Sequence, residues 1–163
     1  LGLQPGPNPH SYVPNPTTWT DPLGLTPCRP LGFASAEEFE NFGRQLYAGL
    51  DQAGHAETTA VFQGSSVTGF KFTTGEPFDV GRLSDFDISL VGRPLLERAV
   101  DLGSATRSRG MRTAPLTEAI LGDLGLADTW QGLERLAGRD VHFMAYRSIE
   151  NALGRGPGIV VPR

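Results

Sequence analysis

Thr59-Ala60-Val61-Phe62-Gln63-Gly64-Ser65-Ser66 and, further along, Ser84-Asp85-Phe86-Asp87-Ile88-Ser89-Leu90 decide how this chain folds. The first stretch opens on an apolar run, which predicts a short buried strand over 57–63. A Gly-Ser-Ser turn directly after a strand leaves backbone N–H groups and hydroxyls free to hold phosphate oxygens, more so where a helix begins there. In the second stretch, Asp85 and Asp87 alternate with Phe86, Ile88 and Leu90. Side chains at i and i+2 of a strand share a face. A strand over 85–91 therefore sends the three apolar side chains into a core and both carboxylates to the other side. Adjacent carboxylates repel unless a cation lies between them. The pattern predicts a magnesium site beside a phosphate-holding turn.

Upstream, Ser35-x-x-Glu38 forms a capping box, and Phe39, Phe42, Leu46 and Leu50 recur at helical spacing. They predict a helix over 36–53 with an apolar stripe, ended by Gly54. Between the turn and the carboxylate strand, 72–79 carries Gly75 and Pro77 and predicts a hairpin or flap, with Glu76 and Asp79 as solvated loop charges. Pro94 opens a helix through Leu102. The segment 103–113 sets three arginines among hydroxyls and glycines, suited to clamping phosphates, with Arg107 and Arg109 as the substrate contacts. Helices are predicted over 115–124 and 129–137, the second with Asp128 and Gln131 as a capping box. A third strand follows over 139–146. Val141, Phe143 and Ala145 share one of its faces, while Asp140, His142 and Met144 share the other. The Gly-Pro-rich end of the chain is expected to lie along the sheet or the site.

The 163 residues suit one domain with a small appendage. The single cysteine, Cys28, excludes an internal disulfide framework and a cysteine-ligated zinc site. No apolar stretch approaches membrane-spanning length, and no basic segment followed by an apolar one marks a signal peptide. A net charge of −4 argues against bulk attraction to nucleic acid, though not against a local basic strip. Residues 1–30 stand apart: eight of the thirteen prolines fall there, with only Asp21 and Arg29 charged. Proline at that density forbids regular helix and predicts an extended arm.

Two resemblances follow from these residues. Pro9-His10-Ser11-Tyr12-Val13-Pro14-Asn15-Pro16, with Asp21-Pro22-Leu23-Gly24-Leu25, is similar to the end of the core repeat domain of Rhs and YD-repeat proteins, after which a variable toxin begins. That resemblance implies a parent Rhs cage, self-cleavage near Leu25 with Asp21 participating, and domains at 1–30 and 31–163. The Gly64-Ser65 turn with Ser84-Asp85-Phe86-Asp87-Ile88 resembles the signature of polymerase-beta-type nucleotidyltransferases, and more narrowly the toxin modules of that class. The relatives' spacing between the two motifs is shorter, the extra residues here lying in Phe70 to Gly81.

The second resemblance implies an α/β (α+β) nucleotidyltransferase fold, a small mixed sheet with covering helices. It also implies a magnesium- or manganese-dependent transfer of a nucleotidyl group from a nucleoside triphosphate. Asp85, Asp87 and a third ligand on the last strand would hold the metal. Gly64, Ser65, Ser66, Lys71, Ser84, Arg107 and Arg109 would face the nucleotide. The relatives carry Asp-Val-Asp where this chain has Asp140-Val141-His142, so the resemblance implies Asp140 as the third metal carboxylate with His142 close by, or His142 as its replacement. As a secreted antibacterial toxin acting in the target cell's cytoplasm, it would have a cognate immunity protein. The acceptor would be a tRNA end, a protein hydroxyl or a nucleotide. A metal-dependent nuclease, an ADP-ribosyltransferase and a non-catalytic binding module are the competing readings.

Overall fold

The computed structural model describes residues 29–163. The cleavage junction at Asp21 and Leu25, and the arm apart from Arg29 and Pro30, lie outside the described residues.

Six strands build one mixed sheet: β1 (Thr59–Gln63), β2 (Phe86–Val91), β3 (Thr106–Arg107), β4 (Arg112–Thr113), β5 (Val141–Tyr146) and β6 (Ile159–Val160). Their spatial order is β3-β4-β5-β2-β1-β6. β2 and β5 run parallel, and the other neighbours are antiparallel. Parallel neighbours need a long crossover. Here it is made by α3 (Arg93–Asp101), the β3–β4 hairpin, α4 (Glu118–Asp123) and α5 (Ala127–Ala137). Helix α1 (Ala36–Gln52) precedes the sheet, α2 (Ser65–Thr68) follows β1, and α6 (Ile149–Leu153) follows β5. The expected mixed sheet with covering helices is present, with three more strands than the alternation of residues predicts.

The period-two pattern separates the sheet's faces. Phe62, Phe86, Ile88, Leu90, Val141 and Phe143 point to one face, where α1, α3, α4 and α5 cover them. Phe33, Phe39, Phe42, Phe62 and Phe86 form an aromatic cluster there, with ring centroids 5.0 to 6.2 Å apart. Each fully buried phenylalanine contributes on the order of 1.5–3 kcal/mol of transfer free energy. Helix α1 starts at the predicted cap, the Ser35 hydroxyl accepting from the Glu38 N–H at 3.1 Å, while the Glu38 carboxylate reaches one residue beyond a capping box and accepts from Ala34 N–H. It ends with Gly54 at φ 84°, where Gly54 N–H reaches Asp51 O and His55 N–H reaches Leu50 O, a Schellman ending. The N-cap of α5 is Leu126, which places Asp128 inside the first turn and leaves the predicted Asp128–Gln131 box unformed.

The opposite face is only partly covered. Val61, Val91, Tyr146 and Ala152 form a small second cluster under α6. Gln63 fixes α6 there, donating from Nε2 to Ala152 O at 2.7 Å while its Oε1 accepts from the Ser89 hydroxyl. The rest of this face carries Asp87, His142 and Met144 and borders a cleft.

Candidate metal centre and the cleft beside it

The parallel register places Asp87 opposite His142 and Phe86 opposite Val141. With side chains alternating along both strands, Asp85, Asp87 and His142 emerge on the α6 side of the sheet. His142 Nδ1 lies 3.1 Å from Asp85 Oδ2 and 3.9 Å from Asp87 Oδ1. One ligand atom from each of the three lies within 4.8 Å of the others, so the group can hold a metal ion. Burial, and then the Asp85 carboxylate, push the Asp87 carboxyl above its ordinary range; His142 and Arg155 pull it back only in part. Arg82 Nη2, 3.8 Å from Asp85 Oδ1, is an exposed partner that leaves the acidic character of the group in place.

Asp140, the expected third metal carboxylate, does not join the group; His142, the alternative, does. Asp140 contributes its backbone: its carbonyl accepts from Phe86 N–H at 2.9 Å, and its side chain is exposed.

Gly64, at φ 73°, turns the chain from β1 into α2 and passes so close to Asp87 that a Cβ would come 2.6 Å from Asp87 Oδ2. The turn thus abuts the acidic group, as the sequence predicts. Its hydroxyls behave differently from one another. Ser65 lines the cleft. Ser66 is buried and donates to Gln63 O at 3.1 Å, so its hydroxyl closes the turn and does not face a ligand. Ser84 is likewise buried, its Oγ accepting from Asp79 N–H at 3.0 Å. These two expected nucleotide contacts are fold contacts.

The cleft, about 520 Å³, runs from this turn past Asp87 to the β3–β4 hairpin and the segment after α6. Lys71, Arg107, Arg112 and Arg155 line it, with Tyr146 in its wall. Lys71 is paired with Glu76 at 3.2 Å, inside a short hairpin closed by a Phe70–Pro77 bridge. The predicted flap is this hairpin, with Phe72 fully exposed on it. Arg107 lies in the cleft as predicted, whereas Arg109, at φ 56° in the hairpin's turn, is not part of its lining. Arg112 and Arg155 were not among the predicted contacts. The one available signal was their spacing to Gly-rich turns, which does not specify a destination.

Asp79, read from sequence as a solvated loop charge, is instead a hub. Its carboxylate accepts from Arg139 Nη1 at 3.0 Å and Nη2 at 3.2 Å, and from Ser84 N–H at 2.8 Å. Arg139 also donates to Ser84 O at 2.9 Å and stacks over Phe78 and Phe86. This lattice fixes the residue immediately before Asp85.

Comparison of the chain with protein-family models, with curated proteins and with solved structures finds no match.

Proposed function

We propose that this chain is a metal-dependent nucleotidyltransferase of the bacterial toxin class, transferring a nucleotidyl group from a nucleoside triphosphate to an RNA, protein or nucleotide acceptor. The observation that carries this reading is one shared residue. Asp87 belongs both to the Asp85–Asp87–His142 group and to the lining of the basic cleft, so a cation held by the group borders a channel able to hold phosphates. A divalent cation there would neutralise phosphate charge and lower the pKa of an attacking hydroxyl. Arg107 supplies positive charge along the cleft, Ser65 a hydroxyl, and Gly64 the close backbone approach that keeps the turn against Asp87. Carboxylate oxygens suit magnesium or manganese; the imidazole suits iron, zinc and the other later first-row ions.

The toxin setting rests on the similarity of the N-terminal arm to an Rhs junction. It carries with it a cognate immunity protein in the producing cell, an origin in a secreted parent protein, and action in the target cytoplasm.

A metal-dependent nuclease is the second reading, favoured by the inward-turned hydroxyls of Ser66 and Ser84, which remove two of the expected phosphate contacts. The chain is incubated with bacterial extract, labelled nucleoside triphosphates and either manganese or magnesium. Label appearing in an acceptor, lost with Asp85→Ala/Asp87→Ala in a folded protein, supports nucleotidyl transfer. Degraded nucleic acid without labelled product moves the assignment to the nuclease. Activity that persists in EDTA defeats both. Expression of the chain inside bacteria, with the same double variant as control, tests the toxin setting.

A further inference from the structure

Arg112 is the least accommodated charge in the described part of the molecule. It is 8% exposed, its Nε has no hydrogen-bond partner, and Nη1 makes a long 3.4 Å donation to Thr113 O, with the Tyr146 hydroxyl as a further neighbour. A buried guanidinium with an unpaired N–H and no anionic partner is costly. The sheet register then brings further positive charge to it. Arg112 is the cross-strand partner of Arg107 on β3 and of Tyr146 on β5. Arg155, just past α6, donates to the Tyr146 hydroxyl at 3.4 Å. Burial pushes the Arg112 guanidinium below its usual range; Tyr146 opposes the shift, and the like charges of Arg155 and Arg107 add to it. Among the described residues none of these three arginines has a carboxylate within ion-pair distance. All three line the same cleft. Three mutually repelling guanidiniums around one wall, the innermost with an unused N–H, lack an anion between them.

We propose that Arg107, Arg112 and Arg155, with the Tyr146 hydroxyl, form a built seat for a small polyphosphate, which binds there without metal and next to Asp87. Guanidinium forks match phosphate oxygens bidentately, and several around one anion fix its orientation as well as its charge. Taking that anion to be the phosphate chain of the donor nucleotide rests on the nucleotidyl-transfer reading; the seat itself does not. The phosphate-holding role then passes from the serine hydroxyls of the turn to arginines of the β3–β4 hairpin and the C-terminal segment.

The test is calorimetric titration of the intact chain with sodium tripolyphosphate in EDTA, compared with a short single-stranded oligoribonucleotide. Tripolyphosphate binding that weakens by about tenfold or more in Arg155→Gln and Arg107→Gln is the expected result. Arg112→Gln is added where circular dichroism shows it folded. Arg98→Gln, which removes an equal charge from the exposed side of α3, leaves the affinity unchanged. The seat is overturned by absence of tripolyphosphate binding, by equal losses in Arg98→Gln and Arg155→Gln, or by a preference for the oligoribonucleotide. Tripolyphosphate binding with these variant effects, alongside absence of nucleotidyl transfer in extract, keeps the seat and removes only the donor assignment.

Discussion

Gly64 and Asp87 are packed so closely that no side chain fits between them: a Cβ on Gly64 would stand 2.6 Å from the Asp87 carboxylate oxygen. Gly64 also holds φ at 73°, which L side chains rarely adopt. Gly64→Ala therefore carries two costs, backbone strain of about 1 kcal/mol or more and displacement of Asp87. The second is specific to the site. Urea unfolding is expected to show a modest stability loss, while manganese-dependent stabilisation disappears altogether.

Metal binding should register as stability. A ligand at a hundred times its dissociation constant adds about 2.7 kcal/mol, a Tm rise of roughly 5–10 °C for a chain of this size. Thermal melts in EDTA and in manganese are expected to show that rise in the wild type and in Asp140→Asn. His142→Ala and Asp87→Asn should abolish it. Asp87→Asn in EDTA is expected to melt no lower than the wild type, since it removes a carboxylate that burial and Asp85 disfavour. A manganese response that needs Asp140 but not His142 would refute this ligand set.

The Asp79–Arg139 pair predicts a pH dependence. Burial alone would raise the Asp79 carboxyl, but hydrogen bonds from Arg139 and Ser84 outweigh it and hold the group below its ordinary 3.8. A depressed carboxylate stabilises the fold fully above the unfolded pKa and loses that contribution as pH falls through 3.8 toward the folded value. Asp79→Asn removes the charge at every pH. Its stability deficit against wild type should be largest near pH 7, at about 1–3 kcal/mol, and should shrink toward pH 3. A deficit independent of pH would mean that the carboxylate's charge is irrelevant.

Helices α1 and α5 meet at a glycine. A Cβ on Gly49 would overlap the Thr129 side chain, both Oγ1 and Cγ2. Overpacking of this kind costs about 1–3 kcal/mol. Gly49→Ala should lower the urea midpoint without altering the m-value or the manganese response. The double change Gly49→Ala/Thr129→Ala should recover much of the loss, and no recovery would place the fault elsewhere.

What the sequence made legible was local. The Ser35 cap, the apolar stripe of α1, and the alternation of Phe86, Ile88 and Leu90 against Asp85 and Asp87 depend on neighbours a few residues apart. Their outcome matches the expectation. The choice between Asp140 and His142 depended on how β5 slides along β2, a long-range register that alternation alone leaves free. Strands β3, β4 and β6 have two residues each, too few to show a period. Arg112 reaches the cleft through the β4 pairings and Arg155 through the segment between α6 and β6, so neither role was visible. The Asp79–Arg139 pair joins positions sixty residues apart, and a polar residue in a Gly-Pro loop gives no sign of such a partner.

Strand β6 is only Ile159–Val160, yet it pairs with Val61 and Phe62 of β1, and Val161 N–H adds a bond to Ala60 O. Without this strip the outer rim of the sheet would be Thr59–Gln63, an apolar, uncharged run with open amide and carbonyl groups. Such a rim recruits strands from other chains. A protein cut back to Gly154 should therefore lose its monodispersity before its helices, collecting as oligomers in light scattering while its ellipticity still looks native.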